Sequence, residues 1–145
     1  MADLRSSPPG GYDIDVETLI IGAGAAGMVA ALAACEDGQQ VLVNEADAVL
    51  AGSTALSAGL IPAAGSNVQR AAGILDDPQI FAADIQRKAH DENDPALVQA
   101  LTQGIGPVID WLGDRHGLAF SLVTDFDYPG HSRRRMHGLA SRSGA

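Results

Sequence analysis

Three glycines after a largely apolar run are the residues of this sequence best suited to bind a phosphate group. Gly22, Gly24 and Gly27 follow Thr18–Ile21, at the spacing of the turn that binds dinucleotides between a strand and a helix. In such a turn the first glycine allows the sharp bend, the second lets a pyrophosphate approach the backbone, and the third lets the helix pack closely. The helix that follows directs N–H groups and the positive end of its dipole at the phosphates. The predicted contacts within the turn are Gly22, Ala23, Gly24, Ala25, Ala26 and Gly27.

One acidic residue has the position expected of a ribose ligand. Glu45 ends a second predicted strand, Gln40–Asn44, and lies 23 residues after Gly22. This is close to the spacing at which a carboxylate accepts hydrogen bonds from the ribose hydroxyls of a dinucleotide. The predicted site therefore includes Glu45 and the adjacent Ala46. An alternative stays open, in which the glycines serve only to pack a strand closely against a helix.

Two strands and one helix have to position these residues. The sequence predicts a strand over Val16–Gly22, apolar enough to be buried on both faces. A helix is predicted over Gly24–Asp37, with Cys35 as a small buried side chain and Gly38 at its C-terminal end. The strand Gln40–Asn44 then lies parallel to the first strand through a right-handed crossover. The predicted fold class is therefore α/β, a Rossmann-like βαβ dinucleotide-binding fold.

Helices dominate the prediction for the rest of the chain. Asp77 and Asp94 each precede a proline, which is the pattern of an N-cap followed by proline at the first helical position. Helices are predicted over residues 66–73, 78–91 and 95–104, the last one kinking or restarting at Gly104–Pro107 and continuing to about His116. A short strand is predicted over residues 118–123, and no regular structure from Thr124 onward. The predicted core face of the last helix is Leu97, Leu101, Ile105, Val108 and Leu112, which recur at helical spacing.

Composition and charge indicate a globular protein and argue against several kinds of binding site. A chain of 145 residues with 46% hydrophobic and 19% charged residues suits one globular domain. A net charge of −9 argues against nucleic-acid binding through a general basic surface. A single cysteine excludes a disulfide framework and a multi-cysteine metal site, and no other metal site is predicted.

The uncharged run Thr18–Cys35 is not predicted to cross a membrane. It has 18 residues, but it is rich in glycine and alanine and is flanked by Glu17 and Glu36 rather than by lysine or arginine. Acidic rather than basic residues precede it, which argues against a secretory signal. We therefore expect a cytoplasmic protein without a membrane span.

The segment Glu45–Gly59 resembles the flavin-contacting stretch of the fumarate reductase/succinate dehydrogenase flavoprotein family. Its sequence, EADAVLAGSTALSAG, is similar to that family's glutamate at the end of the second strand, its Gly-[Asn/Ser]-Thr element and its Ala-Gly-Gly element. Gly130–His137 and Ser141–Gly144 resemble the family's segment that carries histidine and arginine. The resemblance extends from Asp13 over nearly the whole chain and is most specific in its first 50 residues.

The resemblance implies that the chain is the FAD-binding portion of a flavin-dependent oxidoreductase. The glycine turn would bind the pyrophosphate of FAD, and Glu45 would hold the adenosine ribose. Ser53 stands where some members carry the histidine that bonds covalently to FAD, so a non-covalent cofactor is expected. Ala51 and Leu60 depart from glycines that are common at those positions in the family. The further contacts implied, to phosphate, ribityl or ring atoms, are Gly52, Ser53, Thr54, Ala58 and Gly59.

The same resemblance bears on domain organisation and activity. Family members are several hundred residues long, so residues 13–145 are interpreted as the N-terminal part of an FAD-binding domain, after a flexible lead-in over residues 1–12. The implied reaction is hydride or electron transfer between FAD and a small organic substrate, with unknown catalytic residues and no turnover by this piece alone. Two alternatives stay open, an NAD-dependent Rossmann dehydrogenase fragment and a truncated, non-catalytic nucleotide-binding or interaction module. A homo-oligomer could cover an exposed sheet edge.

Two histidines and three arginines near the end of the chain form the remaining polar cluster. They could bind an anionic substrate or shape the cofactor pocket. We favour a solvated surface loop that pairs with acids elsewhere in a longer protein, and we predict no metal site. The residues are His131, Arg133, Arg134, Arg135 and His137.

Overall fold

Two parallel strands with a helix between them form the first part of the fold. The computed structural model of the protein describes residues 10–144. Strand β1 (Thr18–Ile21), helix α1 (Ala25–Glu36) and strand β2 (Val41–Asn44) follow one another, and the two strands pair in parallel over all four residues of each. The predicted α/β fold class and the predicted βαβ unit are confirmed.

Helix α1 lies close to β1 because glycines leave room for it. A Cβ added at Gly27 would lie 2.0 Å from the carbonyl oxygen of Gly22 and 3.2 Å from a methyl carbon of Ile20. Gly22 has a φ of +100°, a conformation that other residues rarely adopt. At the other end of the helix, Gly38 has a φ of +81° and donates its N–H to the carbonyl of Cys35. Gly38 thus ends the helix as predicted.

Strand β1 is covered on one face rather than on both. Ile20 faces α1, whereas Leu19 is 57% exposed and Ile21 is 73% exposed. The prediction of burial on both faces is wrong for these residues, because the βαβ unit places a helix on a single face of its two strands. Cys35 is also exposed, contrary to prediction, since Ala34 instead lies on the partly buried side of α1.

A three-stranded antiparallel sheet and two long helices form a second compact unit, which begins at Ala55. The remaining elements are α2 (Ser53–Leu56), β3 (Ile61–Pro62), α3 (Asn67–Ala71), α4 (Pro78–Lys88), α5 (Pro95–His116), β4 (Ser121–Leu122) and β5 (Met136–Gly138). Strand β5 lies between β3 and β4 in the sheet, and α4 packs against α5. Within residues 10–144, no helix combines the length and the apolar character needed to cross a membrane.

Both long helices begin at the predicted caps. The side chain of Asp77 accepts a hydrogen bond of 2.8 Å from the N–H of Ile80, and the side chain of Asp94 accepts one of 2.8 Å from Ala96. These bonds satisfy N–H groups that have no partner within the helix. Helix α5 ends at Gly117, whose φ of +71° is typical of a C-terminal glycine.

Helix α5 differs from its prediction in continuity and in the face that it buries. It runs unbroken through Pro107, so the predicted restart does not occur. Leu97 is 70% exposed and Leu101 is 54% exposed, although both were predicted to face the core. A Cβ added at Gly106 would lie 2.2 Å from the carbonyl oxygen of Ala64. Only glycine allows this close approach. The contact therefore fixes the rotation of α5, so that the face next to the predicted one is buried. The buried residues of α5 are Val98, Thr102, Gly106, Ile109 and Leu112.

The segment after Thr124, predicted to be irregular, contains the central strand of the second sheet. In β5, His137 lies opposite both Ile61 of β3 and Leu122 of β4. All three residues of β5 are buried. A three-residue strand that contains histidine and glycine shows no hydrophobic alternation, so only its pairing identifies it.

We predict that the two apolar faces of α5 differ sharply in their contribution to stability. Ile109→Ala should lower the free energy of unfolding by about 2–5 kcal/mol, because Ile109 is 1% exposed and its removal leaves a cavity. The control Leu97→Ala, at a 70% exposed position, should change it by at most about 0.5 kcal/mol. Urea unfolding of both variants measures the difference, and equal losses would contradict the face assigned to α5.

Candidate dinucleotide site

The glycine turn presents an open backbone at the start of α1. The N–H of Gly22 donates to the carbonyl of Asn44 at 2.7 Å, which holds the beginning of the turn against the end of β2. Gly24 is the N-cap of α1, in an extended conformation with φ −71° and ψ 178°, and no side chain at this position caps the helix. A Cβ added at Gly24 would meet only the Thr54 hydroxyl within 4 Å, at 3.6 Å. The turn therefore has the open space and the helix terminus that a phosphate group needs.

The carboxylate of Glu45 lies beside this turn. Its Oε2 accepts a hydrogen bond of 2.7 Å from the N–H of Ala23. Its Oε1 accepts from the N–H groups of Ala46 at 2.8 Å and Asp47 at 3.2 Å. Hydrogen bonds from Ala23, Asp47 and Ala46 hold the pKa of the Glu45 carboxyl below its usual value, against the opposing effect of burial. Glu45 is therefore anionic at neutral pH.

Thr54 supplies a second side-chain contact to the turn. Its hydroxyl oxygen accepts a hydrogen bond of 3.0 Å from the N–H of Ala25, the first residue of α1. The hydroxyl thus lies at the helix N-terminus, where a phosphate oxygen would also accept hydrogen bonds. The sequence marked Thr54 only through the family resemblance, and the contact with Ala25 was not predicted.

The structure brings most of the predicted site residues together within residues 10–54. The glycine turn, Glu45 and Thr54 are joined by the hydrogen bonds described above. Gly52 and Ser53 are exposed next to Thr54. Ala58 and Gly59 belong to the second unit, where Gly59 has a φ of +63°, and their predicted position beside a flavin ring stays a prediction.

Comparison with known proteins identifies the family of this chain and the cofactor of that family. Residues 17–144 match a family described as an FAD binding domain. The chain belongs to this FAD-binding family. The match extends over both units of the structure and includes every predicted site residue. It favours FAD over NAD and confirms the predicted cofactor.

Individual relatives agree with the family. Fumarate reductase (cytochrome) from Shewanella frigidimarina is 34% identical over 111 residues, which cover 77% of this chain and 19% of that protein. Urocanate reductase from Eggerthella lenta is 33% identical over 124 residues, or 86% of this chain and 20% of that protein. The open conformation of a flavocytochrome c3 fumarate reductase superimposes with a TM-score of 0.77 and 26% identity, covering 93% of this chain and 24% of that structure. The chain thus spans about a fifth of the length of these curated relatives.

In this FAD-binding domain, Arg135 is buried in a cluster of charges rather than exposed in a loop. Its guanidinium donates to both carboxylate oxygens of Asp76, at 2.7 and 2.9 Å, and also to Asp84. The side chains of Arg135 and Asp76 are 0% exposed. The guanidinium also lies 4.8 Å from the ring centroid of Phe81. The prediction of a solvated loop that pairs with acids of a longer protein is wrong for Arg135, because its acidic partners lie on this chain.

Asp84 is the most heavily bonded carboxylate of this cluster. Burial raises its pKa, but hydrogen bonds from Ser132, Arg135 and Arg87 outweigh that effect, so the pKa of Asp84 lies well below its usual value. Ser132 donates both its N–H and its hydroxyl to Asp84 at 2.7 Å. Asp84 thus ties helix α4 to the segment that leads into β5.

His137 is also buried, within β5, and its tautomer follows from its partners. Its Nδ1 lies 2.7 Å from the carbonyl oxygen of Arg135, which can only accept, so Nδ1 carries the proton. Its Nε2 lies 2.7 Å from the Ser66 hydroxyl and accepts from it. Ser66 in turn accepts from the N–H of Gln69. Burial lowers the pKa of His137 below its usual value, so this histidine is neutral at pH 7.

The other members of the predicted polar cluster lie nearer the surface. Arg134 pairs with Asp127 at 2.9 Å, and both side chains are largely exposed. Arg133 is exposed and donates to the carbonyl of Leu75. His131 is half-buried, and burial followed by the positive charge of Arg135 lowers its pKa. Arg133 and Arg134 are therefore exposed as predicted, but the acid that pairs with Arg134 lies on this chain.

We predict that substitution of Arg135 destabilises the fold more than substitution of the neighbouring Arg134. Arg135→Met should lower the free energy of unfolding by about 3–5 kcal/mol, because it leaves Asp76 buried without Arg135 as its counter-ion and removes one of the two arginines that bond Asp84. The control Arg134→Met removes an exposed pair and should cost at most about 1 kcal/mol. Urea unfolding of the two variants tests this; a similar, small loss for both would contradict a buried, paired Arg135.

We also predict that the free energy of unfolding decreases when the pH is lowered below the ordinary pKa of histidine, because His137 is buried in its neutral form. Its folded pKa is lowered, so the unfolded chain takes up a proton first, near its ordinary pKa of about 6.5. The contribution of His137 is therefore complete above that pH and is lost as the pH falls below it, by at most about 1.4 kcal/mol per pH unit. Unfolding measured between pH 7.5 and 5.5 should show a shallower slope in His137→Asn. A slope in His137→Asn equal to that of the unsubstituted chain would contradict a neutral, buried His137.

Proposed function

We propose that the chain holds FAD non-covalently at the glycine turn, as the cofactor-binding portion of a flavin-dependent oxidoreductase. The observation that carries this proposal is an open Gly24 at the N-terminus of α1, next to an anionic Glu45 that contacts Ala23. The family match over residues 17–144 supplies the identity of the cofactor.

The phosphates of FAD occupy the space in front of Gly24 in this proposal. The backbone N–H groups at the start of α1 and the positive end of its dipole stabilise two negative charges there. The Thr54 hydroxyl, which accepts from the N–H of Ala25, donates a hydrogen bond to a phosphate oxygen. Residues 22–27 form this cradle, with Gly52 and Ser53 near its edge.

The adenosine ribose lies against Glu45 and Ala46. A carboxylate has about four directions in which it can accept hydrogen bonds, and three are used by Ala23, Ala46 and Asp47. One direction on Oε2 remains for a ribose hydroxyl. In this proposal, backbone groups of Ala58 and Gly59 contact the flavin ring. For these two residues the proposal rests on the family resemblance alone.

Non-covalent attachment follows from the residues near the proposed flavin contacts. Ser53 stands at the position of the histidine that some members of the family bond to FAD, and residues 46–60 contain no histidine or cysteine. Precipitation with acid should therefore release the flavin into solution. Flavin that stays with the precipitated chain would overturn this part of the proposal.

The reaction we propose for the whole enzyme is hydride or electron transfer between FAD and a small organic substrate. When bound, FAD supplies the redox chemistry, and the protein's part is to orient it and to set its electrostatic surroundings. Relatives named for fumarate, urocanate and 4-oxocyclohex-2-ene-1-carboxylate suggest a small unsaturated carboxylate or an enone. No catalytic residue is assigned among residues 10–144, and we expect no turnover by this chain alone.

We also propose that another chain or segment covers the exposed apolar side chains of the two-stranded sheet. Leu19, Ile21 and Val43 of the two-stranded sheet are exposed, and exposed apolar surface of this kind is typical of contact with another chain or segment. A homo-oligomer is one way to cover it. Gel filtration tests this proposal, because a chain that associates with itself elutes earlier than expected for 145 residues.

We predict that Gly24→Val abolishes FAD binding while the chain still folds. The valine side chain occupies the space in front of the turn and should weaken binding by about 100-fold or more. Fluorescence titration with FAD measures the affinity, and thermal unfolding in the absence of FAD checks the fold. Should valine prevent folding, Gly24→Ala provides the milder test, because its Cβ makes only an ordinary contact at 3.6 Å with Thr54.

Gly104→Val is the matched control. Gly104 lies on α5 with nothing within 4 Å of an added Cβ, and it has no place in the proposed site. Its variant should bind FAD like the unsubstituted chain. Equal binding by Gly24→Val and Gly104→Val would show that the pyrophosphate binds elsewhere.

A further inference from the structure

We propose that Glu45 is a positioning residue for the glycine turn as well as a ribose ligand. Through the N–H of Ala23 it fixes the orientation of the peptide that faces the pyrophosphate. This inference rests on the proposed function and deepens it, because it assigns to one carboxylate a contribution to phosphate binding that does not pass through the ribose.

The first support is the place of Ala23 in the turn. Ala23 lies between Gly22, with its φ of +100°, and Gly24, and the peptides on either side of it are free to rotate because glycine restricts them little. The N–H of Gly22 is held by the carbonyl of Asn44 at 2.7 Å. The N–H of Ala23 is held by Glu45 Oε2 at 2.7 Å. The end of β2 thus holds two successive amides of the turn, one through its backbone and one through a side chain.

The second support is that the Glu45 carboxylate is itself fixed. The N–H groups of Ala46 and Asp47 both donate to Oε1, which orients the carboxylate against its own backbone. Because the carboxylate is fixed, its hydrogen bond also fixes the orientation of the Ala23 N–H. The same three hydrogen bonds favour the charged form, and bonds to a charged acceptor are stronger than neutral ones.

The third support is that the side chain of Thr54, which also contacts this region, bonds a different amide from the one that Glu45 bonds. Thr54 accepts from the N–H of Ala25, which is two residues further along and belongs to α1 itself. Gly24, the N-cap, has no side chain to cap the helix. The two contacts therefore hold different amides, and Glu45 is the side chain that holds the turn ahead of the helix.

The substitution Glu45→Gln tests this role. A glutamine keeps one acceptor oxygen and replaces the other by an NH₂ group, which cannot accept from a backbone N–H. In one orientation of the amide the N–H of Ala23 loses its acceptor, and in the other the N–H groups of Ala46 and Asp47 lose theirs and the side chain is no longer fixed. The turn loosens in both orientations. The control Asp15→Asn removes a negative charge from an exposed side chain of the same unit that has no place in the site.

The experiment uses two ligands that differ only in the ribose hydroxyls. ADP and 2′,3′-dideoxy-ADP are titrated against the unsubstituted chain, Glu45→Gln and Asp15→Asn, and amide hydrogen exchange at Ala23 is measured without ligand. We expect Glu45→Gln to weaken binding of 2′,3′-dideoxy-ADP by about tenfold or more, as for loss of a charge-assisted hydrogen bond. We also expect it to speed exchange at Ala23, while Asp15→Asn changes neither measurement.

A contact between Glu45 and the ribose alone predicts a different result. If Glu45 acts on the ribose alone, Glu45→Gln weakens ADP but binds 2′,3′-dideoxy-ADP like the unsubstituted chain, and exchange at Ala23 is unchanged. That outcome overturns the positioning role and leaves the proposed function intact. If the unsubstituted chain binds neither FAD nor ADP, the proposed function fails, and hydrogen exchange at Ala23 still decides whether Glu45 orders the turn.

Discussion

In each unit of this protein a helix lies so close to a neighbouring backbone that only glycine fits at the contact. An added Cβ would lie 2.0 Å from a carbonyl oxygen at Gly27 and 2.2 Å from one at Gly106. Close-packed backbone cannot give way by the ångström or more that a methyl group would require. The first contact sets α1 against β1 and directs its N-terminus at the turn. The second sets the rotation of α5 and so decides which of its two apolar faces is buried.

A fully paired charge cluster holds the second unit together. Burying a guanidinium without partners is unfavourable, but Arg135 makes a two-point contact with Asp76 and a further one with Asp84. These acids lie more than 50 residues before Arg135, so the cluster joins α4 and the residues ahead of it to β5. Because β5 is the central strand of its sheet, its position affects β3 and β4 as well. His137 adds a neutral, fully bonded histidine to the same strand.

The glycine turn and the position of Glu45 beside it were largely predictable because their signals are local. The spacing of Gly22, Gly24 and Gly27, and of Glu45 after them, reflects conformations and distances within a single βαβ unit. The contact between Glu45 and Ala23 was not predictable in the same way. It depends on the parallel register of β1 and β2, which brings the end of one strand beside the turn that follows the other. The resemblance to flavoproteins supplied the cofactor, which the family match confirms.

Local interactions along the chain were enough to predict several elements of the fold. They indicate the strand–turn–helix around Gly22–Gly27, the caps at Asp77 and Asp94, and the glycine that ends α1, because each depends on a residue's own backbone preferences or on bonds to near neighbours. The exposure of Leu97 and the burial of Arg135 and His137 became known from the folded structure alone. Those outcomes depend on contacts between residues far apart in sequence. Hydrophobic periodicity cannot distinguish two adjacent apolar faces of one helix, and a run of arginines gives no sign of acids that fold over it.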